Sequence, residues 1–367
     1  MQIVDSEKNK VLLLVGTLSN YRVPIYNLIS EKYDLTVAYD VKDESKHECY
    51  FKKSKLKSYK ISSLTLHTLS FYTLCKQYDA VIIAPDMHYL MYVSLPFIPH
   101  KYKLLTWSIG IRASYTRKYD LQRKQTFLDK VFYLINAKCD AIIFYMREAI
   151  DFYRSNGINT DKVFIAHNTV EVLPIDKNQM KNKNSVLFVG TLYKEKNVYE
   201  LINAYIEVLQ TGNENIPTLI IVGDGAEYQN IKNIVDTNQL SKHIHLLGRI
   251  TDENVLRDLF SEALICVSPN QAGLSVLKSM GYGVPFITRR NAITGGEILN
   301  IQDGINGILY DKYEDLVDII SDVTIHKNKY LEMGKNAYAY YQENATPKIM
   351  ANGVIDALEY VFNDNHE

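Results

Sequence analysis

VLLLVGT at residues 11–17 and VLFVGT at residues 186–191 are nearly the same short text, written once near the start of the chain and once near its middle. Neither alternates polar with apolar residues. A continuous apolar run of this kind reads as a strand buried on both faces, as in a parallel sheet covered by helices. Similar runs follow each copy. After the first come LTVAY (35–39), AVIIAP (80–85), KLLTW (103–107), AIIFY (141–145) and VFIAHN (163–168). After the second come TLIIVGDG (218–225), IHLLGR (244–249), LICVSPN (264–270), PFIT (285–288) and GILY (307–310). Segments of helical length separate them, so each half reads as a doubly wound α/β domain.

The 367 residues suffice for two domains at about 100–200 residues each. Hydrophobic residues at 47% and charged ones at 23% give no reason to expect disorder. The reading sets an N-terminal Rossmann-like domain at 1–172, a polar linker at 173–185, a second Rossmann-like domain at 186–345 and a C-terminal helix at 346–367 that packs back on the first domain. LEMGKNAYAYYQENATPKIMANGVIDALEYVF (331–362) reads as two helices parted near Thr346-Pro347. Two such domains facing each other place ligands at the carboxyl ends of their strands, in the cleft between them. The informative residues then lie just after the apolar runs.

A net charge of −1 conceals an asymmetry of about +7 over residues 1–172 against about −8 beyond them. The basic residues concentrate in KKSKLKSYK (52–60) and in Arg112, Arg117, Lys118, Arg123 and Lys124. They fit an ordinary solvated face, a membrane surface or a phosphorylated acceptor. Cys49, Cys75, Cys139 and Cys266 form no Cys-x-x-Cys pair, which points to a reducing cytoplasm. No run reaches about 18 apolar residues, so any membrane contact is expected to be peripheral.

SPNQAGLSVLKSMGYG (268–283) follows a strand and opens a helix near Gly273. A helix N-terminus offers unpaired N–H groups and a partial positive charge to an anion such as a phosphate. GDGAEY (223–228) is a candidate for a dinucleotide, since Gly223 and Gly225 lie between strand and helix. Tyr228 fills the third glycine's place, however, and IHLLGR ends in no carboxylate to hold a ribose. No nicotinamide or flavin cofactor is therefore expected.

In order and spacing, VLFVGTLYKEKNVYELINAY, LIIVGDG, IHLLGRITDENVLRDLFSEALICVSPN, GLSVLKSMGYGVPFIT and GGEILNIQDGINGILY resemble the nucleotide-sugar domain of glycosyltransferase family four, which has the two-domain GT-B fold. SNYRVPIYNLISEKYDLTVAY and DKVFIAHNTVE are similar to parts of enzymes that build bacterial O-antigens and capsules. The resemblance implies transfer of a sugar from a UDP- or GDP-linked donor with retention of configuration, without a metal. A polyprenyl-diphosphate-linked oligosaccharide is the implied acceptor. Breaking the sugar–phosphate bond develops negative charge that fixed donors must stabilise. Lys196, Gly190, Thr191 and the backbone at Gly273, Leu274 and Ser275 are expected around the diphosphate, with Gly223, Arg249 and Lys278 on the nucleotide side.

The sequence departs from the family at several of these places. Where relatives carry two glutamates around this helix, the first near the transferred sugar and the second on the ribose, Asn270 and Lys278 stand here. A lysine cannot accept hydrogen bonds from ribose hydroxyls. The family's diphosphate arginine corresponds to Thr191; Lys278 is expected to supply part of that charge, with Arg249 as the alternative. Ile109 in WSIGIR replaces a histidine of many relatives, which excludes a histidine-dependent step there.

Glu297 in TGGEILN matches a glutamate the family keeps near the donor sugar, and its ordinary alternative is an acid favoured by a helix N-terminus. Asp86 follows a buried strand, where a carboxylate can orient or deprotonate an acceptor hydroxyl. Asp86, Glu297 and Asn270 are thus the catalytic candidates. Tyr21, Arg22, His88 and Arg112 are candidates for the acceptor; His88, with His167, has a structural role as alternative, and Arg22 a salt bridge. Asn197 is read as a helix cap with Glu200 reaching back to it. YLMYVSLPFIPHKYK (89–103) reads as a buried crossover helix or as an aromatic surface lying at a membrane.

The function expected is a glycosyltransferase of bacterial surface polysaccharide biosynthesis, in the cytoplasm at the inner face of the membrane, with no nucleic-acid partner. Asn270 and Lys278 leave room for a non-catalytic relative that only binds a sugar nucleotide or glycan. A nucleotide-sugar epimerase on the same fold is a further alternative.

Overall fold

The computed structural model describes residues 8–113, 119–121, 124–175, 183–212 and 215–363. Arg117, Lys118 and Arg123 of the basic group lie outside these residues, as do 176–182 of the expected linker. The chain forms two compact units, one from the stretches ending at Arg112, spanning Asp120–Asn168 and beginning at Pro347, the other chiefly from Thr169–Thr346.

The first unit contains β1 (Lys10–Val15), β2 (Asp34–Tyr39), β3 (Lys52–Lys55), β4 (Ser58–Ile61), β5 (Leu64–His67), β6 (Ala80–Ile83), β7 (Lys103–Ser108), β8 (Ala141–Phe144) and β9 (Val163–Ile165). All but β4 and β5 make one parallel sheet in the order β3-β2-β1-β6-β7-β8-β9, and β4 and β5 make a separate antiparallel hairpin. Helices α1 (Val23–Ser30), α2 (Ser70–Cys75), α3 (Leu90–Ser94), α4 (Phe127–Ala137) and α5 (Ala149–Arg154) connect the strands.

Successive strand residues point to opposite faces. Val11 and Leu13 accordingly pack with Val23 and Ile29 on one side of the sheet, and Leu12 and Leu14 with Phe71, Tyr92 and Leu95 on the other. The stretch 89–103 supplies α3 and a 3-10 turn at Leu95–Phe97, burying Tyr92, Val93 and Leu95. The basic stretch 52–60 becomes the edge strand β3, where Lys52 pairs with Asp34 and Lys53 with Asp43, followed by most of β4.

The second unit contains β10 (Ser185–Val189), β11 (Thr218–Val222), β12 (Ile244–Gly248), β13 (Ala263–Val267), β14 (Gln271–Ala272), β15 (Phe286–Arg289), β16 (Ile293–Thr294) and β17 (Gly307–Tyr310). Its helices are α6 (Val198–Gln210), α7 (Tyr228–Thr237), α8 (Glu253–Glu262), α9 (Ser275–Gly281), α10 (Tyr313–Ile325) and α11 (Lys327–Asn344). The main sheet is parallel throughout, in the order β12-β11-β10-β13-β15-β17. Val186 and Phe188 face Leu201, Tyr205 and Ile320, while Leu187 and Cys266 face Val276, Met280 and Tyr341.

The described residues next to 176–182 pack within this unit: Val172 lies against Gly281, and the buried Lys183 donates to the Gly283 carbonyl at 3.0 Å. Thr346-Pro347 then parts α11 from α12 (Pro347–Asn363). In the first unit, α12 adds Met350, Val354 and Leu358 to the core around Val11 and Leu13. Gly353 permits its close approach to β9, because an added Cβ would lie 2.0 Å from the Ile165 carbonyl oxygen.

Candidate functional site

In the second unit the strand order reverses between β10 and β13, the place where an open α/β sheet leaves a crevice at its carboxyl edge. A pocket of about 500 Å³ opens beyond β10, β11 and β12, lined among others by Gly190, Thr191, Gly223, Asp224, Gly225 and Arg249. Glycine is needed at Gly223 because an added Cβ would lie 1.9 Å from the Gly190 carbonyl oxygen, and at Gly225 because it would lie 2.4 Å from that of Leu192. The glycines of GDGAEY therefore serve the crossing of two loops.

Lys196 ends a 3-10 turn at Lys194–Lys196 and is 8% exposed. Its ammonium reaches back to Gly190, where an added Cβ would lie 2.9 Å from Nζ, and it passes near the rings of Phe188 and Tyr193. Among the described residues no carboxylate pairs with it. Burial pushes its pKa down to about 8, with Cys266 opposing the shift. Lys196 is thus a buried cation with no carboxylate partner among the described residues, beside a pocket lined by glycines.

The loop after β13 is tied to this one. Asn270 Nδ2 donates to the Glu195 carbonyl at 2.9 Å, and Tyr193 donates its hydroxyl to Gln271 Oε1. The short β14–β16 ladder and a bond from Ile293 N to the Asn270 carbonyl join it to the loop that carries Glu297. Glu297 is buried, and its Oε2 accepts from Gly295 N at 3.0 Å and Thr294 Oγ1 at 3.3 Å. Gly273 faces open space, and α9 begins two residues later at Ser275, with Leu274 as its N-cap.

Two readings change in detail. Lys278, expected to face a phosphate, makes an ion pair with Glu253 on α8, with Nζ 2.6 Å from Oε2. Asn197 makes no side-chain cap; it sits in the left-handed region at φ 52° and donates Nδ2 to Glu200 Oε2. Glu200 also accepts from Arg289 and from the Tyr310 hydroxyl, so its carboxylate serves those partners and forms no capping box. Arg249 is exposed at the pocket, with no ion pair among the described residues. Tyr193, Gln271 and Glu253 were not singled out in the sequence. The adjacency of Tyr193 and Gln271 to Lys196 and Asn270 was the available signal, and Glu253 gave none.

The first unit's candidates also follow strand ends. Arg22 precedes α1 and is 7% exposed; Nη2 donates to Asn168 Oδ1 at 2.9 Å and Nη1 contacts Met350 Sδ at 2.9 Å. Its guanidinium stacks on Tyr21 and Tyr145 at 5.0 Å and lies 5.7 Å from the Trp107 ring. Asp86 Oδ1 accepts from His88 N at 2.9 Å and lies 2.6 Å from His88 Nδ1, with both side chains solvent-exposed. Arg112 lies 3.9 Å from Asp129 and over the Phe132 ring. His167 is half-buried, which lowers its pKa. Asp86 and His88 are thus brought together, as are Tyr21 and Arg22.

Residues 171–340 match the family described as glycosyl transferases group 1. An uncharacterized glycosyltransferase of Methanocaldococcus jannaschii is 28% identical over 224 residues, 58% of this chain and 56% of that protein. The alpha-monoglucosyldiacylglycerol synthase of Acholeplasma laidlawii is 24% identical over 190 residues, 50% of this chain and 46% of that protein. The chain thus aligns with about half the length of these curated relatives. Anabaena HepE, solved in complex with UDP, is similar in structure with a TM-score of 0.69 at 15% identity, over 95% of this chain and 99% of that one. The chain therefore has the GT-B fold, and its residues 171–340, which carry every second-unit candidate, are similar to the glycosyl transferases group 1 family.

Proposed function

We propose that this chain is a retaining, metal-independent glycosyltransferase that moves a hexosyl or N-acetylhexosaminyl group from a nucleotide-diphosphate sugar to a glycan acceptor. The observation that carries the reading is the buried Lys196 ammonium, unmatched by any carboxylate among the described residues and set against Gly190 beside the pocket. The HepE structures with UDP and with UDP-glucose support a nucleotide-sugar donor.

Departure of the diphosphate places negative charge on the leaving oxygen. Lys196, the N–H groups at Gly273, Leu274 and Ser275, and Arg249 are the groups positioned to offset it. The leaving diphosphate accepts the acceptor hydroxyl's proton on the same face, so configuration is retained without an enzymic nucleophile. Asn270 and Glu297 hold the loops beside the donor sugar.

Acceptor contacts fall to Tyr21, Arg22, Asp86, His88 and Arg112 on the first unit, with Asp86 orienting the reacting hydroxyl through its pairing with His88. The acceptor is a polyprenyl-diphosphate-linked oligosaccharide of bacterial surface polysaccharide synthesis, reached at the cytoplasmic membrane face. The basic first half and a relative named for a diacylglycerol glycolipid support this reading. Among the described residues no helix is long and apolar enough to cross a membrane. The test is transfer from UDP- and GDP-sugars to lipid-linked oligosaccharides, with the product anomer read by NMR. A product of inverted configuration, or nucleotide release without transfer to any acceptor, would count against it.

A second reading, binding without turnover, is favoured by Asn270 and Lys278 each being engaged by protein, through the Glu195 carbonyl and the Glu253 carboxylate. Tight UDP binding with neither transfer nor donor hydrolysis would select it.

A further inference from the structure

The β4–β5 hairpin is patterned inside out. Tyr59 stands opposite Leu66 and Ile61 opposite Leu64, while Ser58 faces His67 and Lys60 faces Thr65. Cross-strand partners share a face, so one side of the ribbon is apolar and the other polar. On the polar side the β5 residues are turned inward, with Thr65 4% and His67 9% exposed and His67 Nε2 2.7 Å from Asp40 Oδ1, whereas Lys60 near the hairpin turn stays exposed to solvent. The apolar side is turned outward, with Tyr59 64% and Ile61 60% exposed, Leu64 and Leu66 half-buried, and Leu69 just beyond at 78%. A hairpin with one solvated face ordinarily shows the reverse alternation, and a contiguous exposed apolar patch marks a docking surface.

Along this stretch of the chain the charge has one sign; the Asp86 side chain, exposed near β5, is bonded to His88. From Cys49 to Tyr78 the chain has no Asp or Glu and six lysines: Lys52, Lys53, Lys55, Lys57, Lys60 and Lys76. Lys52 and Lys53 are paired with acids on neighbouring segments, but no ion pair engages Lys57 or Lys60, which flank Tyr59, among the described residues. Exposed tyrosine and aliphatic side chains flanked by free lysines complement the headgroup boundary of an anionic bilayer: the apolar groups enter the acyl edge and the ammonium groups meet lipid phosphates.

We infer that the β4–β5 hairpin seats the first unit on an anionic membrane, through Tyr59 and Ile61 with Lys57 and Lys60 beside them. The inference rests on the lipid-linked acceptor reading and names the element that contacts the lipid. The test is co-sedimentation of the full chain with phosphatidylcholine vesicles, with and without phosphatidylglycerol. The wild type is expected to bind the phosphatidylglycerol vesicles, less well as salt rises. Tyr59→Ser with Ile61→Ser is expected to lower the partition coefficient about tenfold or more. Ile325→Ser, at a 69% exposed position of the second unit, leaves it unchanged.

Unchanged melting curves show that the double variant is folded. Lys57→Gln with Lys60→Gln gives an independent readout, weakening binding only where phosphatidylglycerol is present. Full binding by both double variants would overturn the hairpin assignment and leave the membrane reading standing. A wild type that binds neither vesicle would overturn both.

Discussion

A lysine ammonium buried without a counter-charge costs stability, which makes Lys196 informative. Its pKa is depressed to about 8 from the ordinary 10.5, so between those values the folded chain has released a proton that the unfolded chain keeps. Stability therefore rises with pH across that window, and the cost is fully present below about pH 8. Lys196→Met is expected to raise stability at pH 7 by about 1–3 kcal/mol in chemical denaturation while removing diphosphate affinity. An anion binds only the protonated form, so donor kcat/KM of the wild type is expected to fall above about pH 8.

Asp40 has the opposite sense. Burial would raise its pKa, but hydrogen bonds from His67 and Tyr92 outweigh burial and hold it below the ordinary 3.8. Its contribution is present above that value and lost as pH falls through the depressed one. Asp40→Asn is expected to cost about 1–3 kcal/mol at pH 7, with the gap to wild type narrowing in acid.

Among the elements, each apolar run that the sequence marks as a buried strand is a strand of one of the two parallel sheets, because burial on both faces leaves that signature in the residues themselves, while the apolar runs LMYV and VFYLI lie in α3 and α4. KKSK, SYKI and LTLH carry no such run. The first is a strand because its backbone completes the edge of β2, and the other two pair with each other, with one bridge from Thr65 to Tyr89. The candidate site was legible where backbone geometry dictates residue type, as at Gly223 and Gly225, and at Lys196, whose ammonium lies against Gly190 beside the pocket. It was not legible where a partner comes from another element: nothing near Lys278 in sequence points to Glu253, and nothing near Glu200 points to Arg289 and Tyr310. Gly353 was equally silent, although α12 meets the Ile165 carbonyl there. Gly353→Ala is expected to destabilise the first unit by about 2 kcal/mol or more, read by thermal melting, because the obstructing atom is backbone that cannot move aside.

On the scale of the whole chain, the two units differ in how the sequence supplies them. The second is nearly one continuous stretch, whereas the first needs α12, whose Met350, Val354 and Leu358 complete its core. Removing residues 347–367 is therefore expected to abolish the first unit's calorimetric transition and to leave that of the second. Lys196 and the pocket beside it are proposed to hold a nucleoside diphosphate. Isothermal titration of UDP and GDP into the wild type and Lys196→Ala tests this most directly. Binding of one nucleotide by the wild type is expected, with a loss of about tenfold or more in the variant, as for a removed charge-assisted contact. Equal affinity in the two proteins would contradict it.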